Sequence, residues 1–94
     1  MKMDGKTVLI TGSTDGVGRY VAAQLAAAGA KVLIHGRDRA RAKNLADEIR
    51  RQGHVEPVFY PADLSSLAGA RQLADAVIAD HQQIDVFISN AGIG

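Results

Sequence analysis

Apolar residues along this chain fall into two alternating patterns, short unbroken runs and stretches spaced at three and four, so the pattern predicts strand and helix in turn. Thr7-Val8-Leu9-Ile10 is a β-branched, apolar run of the kind buried on both faces of a parallel sheet. A helix is predicted from about Val17 to Ala28, with Val17, Tyr20, Val21 and Leu25 on its apolar face and Gly29 as its stop. The second strand is Ala30 to His35, centred on Val32, Leu33 and Ile34. Gly36-Arg37-Asp38 turns the chain, and Asp38 is placed to cap a helix that buries Ala42, Leu45, Ala46 and Ile49. Arg50 and Arg51 suit the negative end of that helix, and Gly53 ends it. The third strand, Val55 to Tyr60, contains Pro57, which cannot donate to a ladder and so assigns the strand to a sheet edge. Asp63 to Ser66 is expected to cap a third helix burying Leu67, Ala70, Leu73, Ala74, Val77 and Ile78. Ile84 to Ser89 is the fourth strand.

The string is therefore βαβαβαβ, without linker, repeat or low-complexity stretch, and it makes a single α/β domain of residues 1–94. Right-handed crossovers convert it into a Rossmann-type doubly wound parallel sheet of strand order 3-2-1-4, incomplete beyond the fourth strand.

Composition narrows the function without choosing it. Of 94 residues, 47% are hydrophobic but only 4% aromatic, and ten are glycine, which suits thin helices packed on a sheet. A formal net charge of +1 gives no electrostatic reason to expect nucleic acid or an anionic membrane as partner. No cysteine is present, which excludes disulfides. Lys2, Asp4 and Lys6 interrupt the start before any apolar run of signal-peptide length, and no segment approaches a membrane span; a cytoplasmic protein is the expectation. His35, His54 and His81 stand singly without ligand spacing, so no metal site is expected. Tyr20 and Tyr60 read as packing residues.

The chemistry concentrates where the first strand meets the first helix. Thr11 to Gly18 reads Thr-Gly-Ser-Thr-Asp-Gly-Val-Gly, and its glycines allow dihedrals and a backbone approach that a Cβ forbids. The first helical N–H groups then point at a pyrophosphate. In this reading Gly12 makes the tight turn, Gly16 the close approach and Gly18 the contact between helix and sheet, while Ser13, Thr14 and Val17 line the same loop. The alternative is an ordinary strand-to-helix turn.

Three landmarks in order, Thr-Gly-x-x-x-Gly-x-Gly at Thr11 to Gly18, Asp63-Leu64 after the third strand and Asn90-Ala91-Gly92 after the fourth, resemble the short-chain dehydrogenase/reductase family. The resemblance covers the whole chain. It argues against relatives with a Gly-x-x-Gly-x-x-Gly spacing, such as nucleotide-sugar epimerases, and no Gly-Lys-Ser/Thr supports a P-loop. It implies an NAD(P)(H)-dependent oxidoreductase acting on an alcohol or a carbonyl. Asp63 would accept from the adenine amino group, with Leu64 beside the ring, although Asp63 also suits a helix cap. Asn90-Ala91-Gly92 would let the backbone approach the adenosine ribose while the asparagine braces the sheet; the bland reading is a turn, and Ser89 stands where the family usually has a second asparagine.

Cofactor choice falls at the end of the second strand, where an acidic side chain would bind the ribose 2′-hydroxyl of NAD and repel the 2′-phosphate of NADP. That position is Gly36, followed by Arg37, whose guanidinium suits a phosphate or, alternatively, only the solvent. NADP(H) is the expected cofactor, with NAD(H) the alternative. Asp38 lies two residues late for a ribose ligand unless displaced, and Asp15 occupies a place where NADP-preferring relatives often carry a basic residue. The family's catalysis uses a serine, a tyrosine and a lysine four residues after the tyrosine. Here Gln24 follows Tyr20 at that spacing and Leu64 follows Tyr60, so no catalytic residue is assigned. The expectation is a cofactor-binding half, inactive alone, of an enzyme whose substrate the chain does not name. A non-catalytic nucleotide-binding module, or a structural fragment pairing through its open sheet edge, are the alternatives. An open apolar edge at the fourth strand also leads to the expectation of a homo-oligomer.

Overall fold

Alternation within the strands decides which side chain faces which layer. In a computed structural model, which describes residues 2–90, Val8 and Ile10 of β1 (Thr7–Ile10) and Val32 and Ile34 of β2 (Lys31–Gly36) share one core with α1 (Gly16–Ala27) and α2 (Arg39–Arg51). Leu9 and Leu33, on the opposite face, pack with Tyr60 of β3 (Val58–Pro61) and with Leu73 and Val77 of α3 (Leu67–Asp80). Both central strands are thus covered on both sides, which explains their unbroken apolar composition. Ile10, Leu33, Ile34, Leu45 and Ile49 are fully buried, each worth about 1.5–3 kcal/mol relative to exposure.

The fourth strand, β4 (Val86–Ile88), pairs with β1, and the parallel sheet runs β3-β2-β1-β4. This is the doubly wound order that the sequence predicts. β4 is held at its start by a reciprocal pair: Asp85 N donates to the Thr7 carbonyl at 2.9 Å, and Thr7 N donates to Asp85 Oδ2 at 2.8 Å. Of the expected cofactor contacts, Ala91 and Gly92 lie outside the described residues. Among the described residues, no helix is long and apolar enough to cross a membrane.

Several local expectations are corrected. On α1 the buried residues are Gly18, Ala22, Leu25 and Ala26, whereas Val17 and Tyr20 are 71% and 66% exposed. On α3 they are Gly69, Leu73 and Val77; Ala70, Ala74 and Ile78 face outward, and Leu67 is 90% exposed. One cause accounts for both rotations. A Cβ on Gly18 would overlap the Gly12 carbonyl oxygen, and one on Gly69 would overlap the Asp63 carbonyl oxygen, so each helix docks where its backbone comes closest. β3 begins at Val58, after Pro57, and ends with Pro61 opposite Gly36; the edge position stands, but a proline at the strand's end is the one that fits it. Asp38 caps α2 by accepting from the N–H groups of Ala40 and Arg41. Ser66, not Asp63, caps α3, accepting from Gly69 N at 3.0 Å.

Candidate functional site

Parallel strands all end on the same side, and the strand order reverses beside β1, with β2 and β3 on one side and β4 on the other, which opens a crevice there. In this chain the crevice is a cleft of about 490 Å³. Thr11, Gly12, Thr14 and Asp15 form one wall after β1, and His35, Gly36 and Arg37 the end of β2. Ala62 to Ser65 close it after β3, with Phe87 and Ser89 beside them. Of the residues expected at a cofactor, Gly12, Thr14, Arg37, Asp63 and Leu64 therefore stand together in one wall.

Ser13, Gly18 and Asn90 sit behind that lining. Ser13 is fully buried, and its hydroxyl accepts from His35 N at 2.9 Å, so it extends the β1–β2 pairing rather than facing the cleft. Asn90 donates from its backbone N to Thr11 Oγ1 and from Nδ2 to the Gly12 carbonyl, each at 3.0 Å, and so braces the loop from the β4 side. Gly18 belongs to the same contact, since a Cβ there would lie 2.6 Å from Asn90 Nδ2. Val17 is exposed in the first turn of α1.

Backbone conformation separates the loop glycines. Gly12 and Gly16 have φ of 63° and 57°, the left-handed region, and nothing lies within 4 Å of a Cβ built on Gly16. Open space over a left-handed glycine is room for a ligand atom. α1 is also the helix without a side-chain cap: its N-cap Asp15 makes no such hydrogen bond, whereas Asp38 and Ser66 cap α2 and α3. The positive end of α1 is therefore left to an anion.

At the end of β2 the packing explains the composition. A Cβ on Gly36 would lie 2.5 Å from Thr14 Oγ1 and 2.7 Å from its Cγ2, so no carboxylate fits there while Thr14 keeps its place. Asp38 is turned to α2 instead. Its Oδ1 accepts both capping bonds, and its Oδ2 lies 3.4 Å from Arg41 Nε. Asp63 Oδ1 accepts from the Ser65 hydroxyl at 2.6 Å and from Ser65 N at 2.9 Å, leaving Oδ2 its acceptor capacity. The Ser65 hydroxyl, then its N–H, then the nearby Arg37 charge hold the Asp63 carboxyl below the ordinary aspartate value.

The residue that the histidine reading passes over is His35. It is 4% exposed, and its Nδ1 accepts from Gly12 N at 3.0 Å while Nε2 lies 2.9 Å from the Ala62 carbonyl. Because Nδ1 accepts, the proton sits on Nε2 and is donated to Ala62: a neutral imidazole bolts the glycine loop to the loop that carries Asp63. The signal available in the sequence was a polar residue ending an otherwise apolar buried strand. Neither tyrosine enters the cleft wall. The Tyr60 hydroxyl instead bonds Asp80 Oδ2 at 2.8 Å and His81 Nε2 at 2.9 Å, and burial, reinforced by Asp80, pushes its pKa up to about 12.

Comparison with known proteins bears on the same cleft. The family model described as short chain dehydrogenase matches residues 6–94. The uncharacterized oxidoreductase YvaG of Bacillus subtilis (strain 168) is 39% identical over 95 residues, which cover 99% of this chain and 34% of that protein. Retinol dehydrogenase 14 of Homo sapiens is 39% identical over 105 residues, 97% of this chain and 31% of that protein. Among solved structures, the Pseudomonas aeruginosa RhlG/NADP active-site complex matches with a TM-score of 0.87 and 36% identity over 98% of this chain and 36% of that one. The chain spans about a third of the length of these relatives. With the family match running from β1 through the whole of the parallel sheet, the chain belongs to the short chain dehydrogenase family.

Proposed function

We propose that this chain seats NADP(H) and is the cofactor-binding part of an oxidoreductase that moves hydride between that cofactor and an alcohol or carbonyl. Residues that fit the dinucleotide are already grouped. Gly12, Thr14 and the positive end of α1 take the pyrophosphate, with Gly16 giving it close approach and Ser13 and Gly18 fixing the loop behind. Asp63 Oδ2 would accept from the adenine amino group, with Leu64 of the same cleft beside the ring, and Asn90 would brace the loop next to the ribose. The bound nicotinamide supplies or accepts the hydride. Proton transfer in the family falls to a tyrosine with a lysine four residues on, and neither Tyr20 nor Tyr60 has that partner, so no residue of this chain is given that role.

The observation that carries the choice of NADP(H) is Gly36 packed under Thr14 with Arg37 next in line. A carboxylate at position 36 that would repel the 2′-phosphate has no room while Thr14 keeps its place, and a guanidinium that attracts it stands at the rim. A charge-assisted contact of about 1.5–3 kcal/mol corresponds to a preference of about tenfold to a hundredfold. Calorimetric titration of the full-length gene product with NADPH and NADH tests it. The expected result is tighter NADPH binding that Arg37→Ala brings towards the NADH value; equal affinities in the unmodified protein, or a preference for NADH, refute it.

A further inference from the structure

Asp15 presents a difficulty for NADPH that the structure resolves. Its residue lines the cleft together with Gly36 and Arg37, and Thr14 before it presses its side chain on Gly36. The loop thus brings a carboxylate-bearing residue to the cleft that the end of β2 also lines, the end at which the 2′-substituent of the adenosine ribose is seated in the proposed reading. A phosphate monoester carries a charge of about −1.5 to −2 at neutral pH, and a bare carboxylate beside it opposes binding. Asp15 is not bare. Its Oδ2 pairs with Arg41 Nη1 at 2.6 Å, and it makes no side-chain cap on α1.

We infer that Arg41 is a specificity-determining residue that secures the NADPH preference by neutralising Asp15, an inference that rests on the 2′-phosphate being seated at Arg37. Arg41 is fixed for this role from its own side. It stands in the first turn of α2, its backbone N–H bound by Asp38 Oδ1 and its Nε 3.4 Å from Asp38 Oδ2, so the guanidinium is turned across to the glycine loop. The side chains of Arg41 and Asp15 are 56% and 73% exposed, and an ion pair so open to water does little for stability. Its effect is felt instead by a third charge brought close to it. NADH, which lacks the 2′-phosphate, brings none.

The charges act through Asp15, and this gives the inference a signature that a direct Arg41–phosphate contact lacks. Removing Arg41 exposes the charge of Asp15 and, to a lesser degree, that of Asp38, whose Oδ2 lies at the longer distance of 3.4 Å, so removing the Asp15 charge as well reverses most of the effect. Calorimetry of the full-length gene product with NADPH and NADH reads it in four proteins: unmodified, Arg41→Ala, Asp15→Asn, and the double variant. Arg41→Ala is expected to weaken NADPH binding by about tenfold, the scale of one unscreened charge at the protein surface, with NADH unchanged. Asp15→Asn is expected to leave NADPH at least as tight. The double variant is expected to recover most of the lost affinity, with Asp38 accounting for the remainder, and added salt to shrink the Arg41→Ala effect. Arg41→Gln, with circular dichroism on each protein, controls for lost packing by the side-chain stem. If the double variant stays as weak as Arg41→Ala, Arg41 meets the phosphate directly and the inference is overturned. It is equally overturned if Arg41→Ala leaves NADPH binding intact, or weakens NADPH and NADH alike. Should the unmodified protein lack an NADPH preference, the seat at Arg37 falls and the inference with it; a preference abolished by Arg37→Ala but untouched by Arg41→Ala overturns the inference alone.

Discussion

Gly18→Ala sets two opposing effects against each other, and the structure says which prevails. In an open helix interior, alanine is favoured over glycine by about 1 kcal/mol. At Gly18 the added Cβ overlaps the Gly12 carbonyl oxygen and comes to 2.6 Å from Asn90 Nδ2, two groups hydrogen-bonded to each other at 3.0 Å. Either α1 moves off the loop or Asn90 and Gly12 separate. Overpacking of a tight contact costs about 1–3 kcal/mol, and the broken hydrogen bond adds about 1 kcal/mol. The net expectation is destabilisation of about 1–3 kcal/mol, the packing cost exceeding the propensity gain. Gly16→Ala is the control, because there the new Cβ meets nothing within 4 Å and only the left-handed φ of 57° opposes it. That strain is about 1–2 kcal/mol.

Urea unfolding of the full-length gene product, in the presence and absence of NADPH, separates the two. Gly18→Ala should also couple with Asn90→Ala, since shortening that side chain removes one of the two clashes; a non-additivity of about 0.5–3 kcal/mol is expected for groups in contact. Gly16→Ala and Asn90→Ala should simply add. A Gly18→Ala protein as stable as the unmodified one would mean that α1 docks more loosely than the Gly12 contact implies, and the reasoning would fail.

Three further outcomes follow from single side chains. His35→Phe keeps the ring volume but removes the partner of the half-buried Gly12 N–H and of the Ala62 carbonyl; a loss of about 1–3 kcal/mol in thermal unfolding is expected, and a loss under about 0.5 kcal/mol, the size of a neutral surface change, would contradict it. For Tyr60, the native pKa of about 12 exceeds the ordinary 10.0, so its contribution is fully present below pH 10 and is lost as pH rises towards 12. The alkaline limb amounts to about 2–3 kcal/mol, and it should vanish from the stability profile of Tyr60→Phe. For Asp85, the Thr7 N–H holds the carboxyl below its ordinary 3.8, so its contribution is present above that value and is lost as pH falls through the lowered one. Asp85→Ala should raise hydrogen exchange in β4 before any other strand, and uniform exchange across the sheet would refute this.

Strand identity and order were legible in the sequence because Val8, Leu9, Ile10, Val32, Leu33 and Ile34 are buried on both faces, so every position in the run had to be apolar. Helix rotation was not. The faces read through Val17, Tyr20, Leu67 and Ile78 followed the large side chains, whereas docking is set by Gly18 and Gly69, which add nothing to a hydrophobic pattern. That the glycine loop and Arg37 would line one cleft was legible, because both stand at strand ends on the same side of a parallel sheet. His35 and Arg41 were not, since each acts through a partner distant in sequence: His35 through Gly12 and Ala62, at separations of 23 and 27 residues, and Arg41 through Asp15 at 26. A charged residue in the first turn of a helix carries no mark of the loop it will face.

The site divides into a fixed floor and an exposed rim, and the two should govern different quantities. Gly12 is held through its N–H by His35 and through its carbonyl by Asn90, and Ser13 is held by the backbone of β2. A loop fixed on both sides before the ligand arrives has little ordering cost to meet on binding. In the proposed seating that benefit is the same for NADPH and NADH, because both would place a pyrophosphate on the loop. The rim residues Arg37, Asp15 and Arg41 are exposed and charged, and in the proposed seating they face the 2′-substituent in which the two cofactors differ. His35→Phe and Gly18→Ala should therefore weaken both cofactors by a common factor, while Arg37→Ala changes their ratio. Dissociation constants for both cofactors across these variants decide it: a floor variant that changes the NADPH to NADH ratio by about tenfold, equal to 1.4 kcal/mol, would show that floor and rim are not separable.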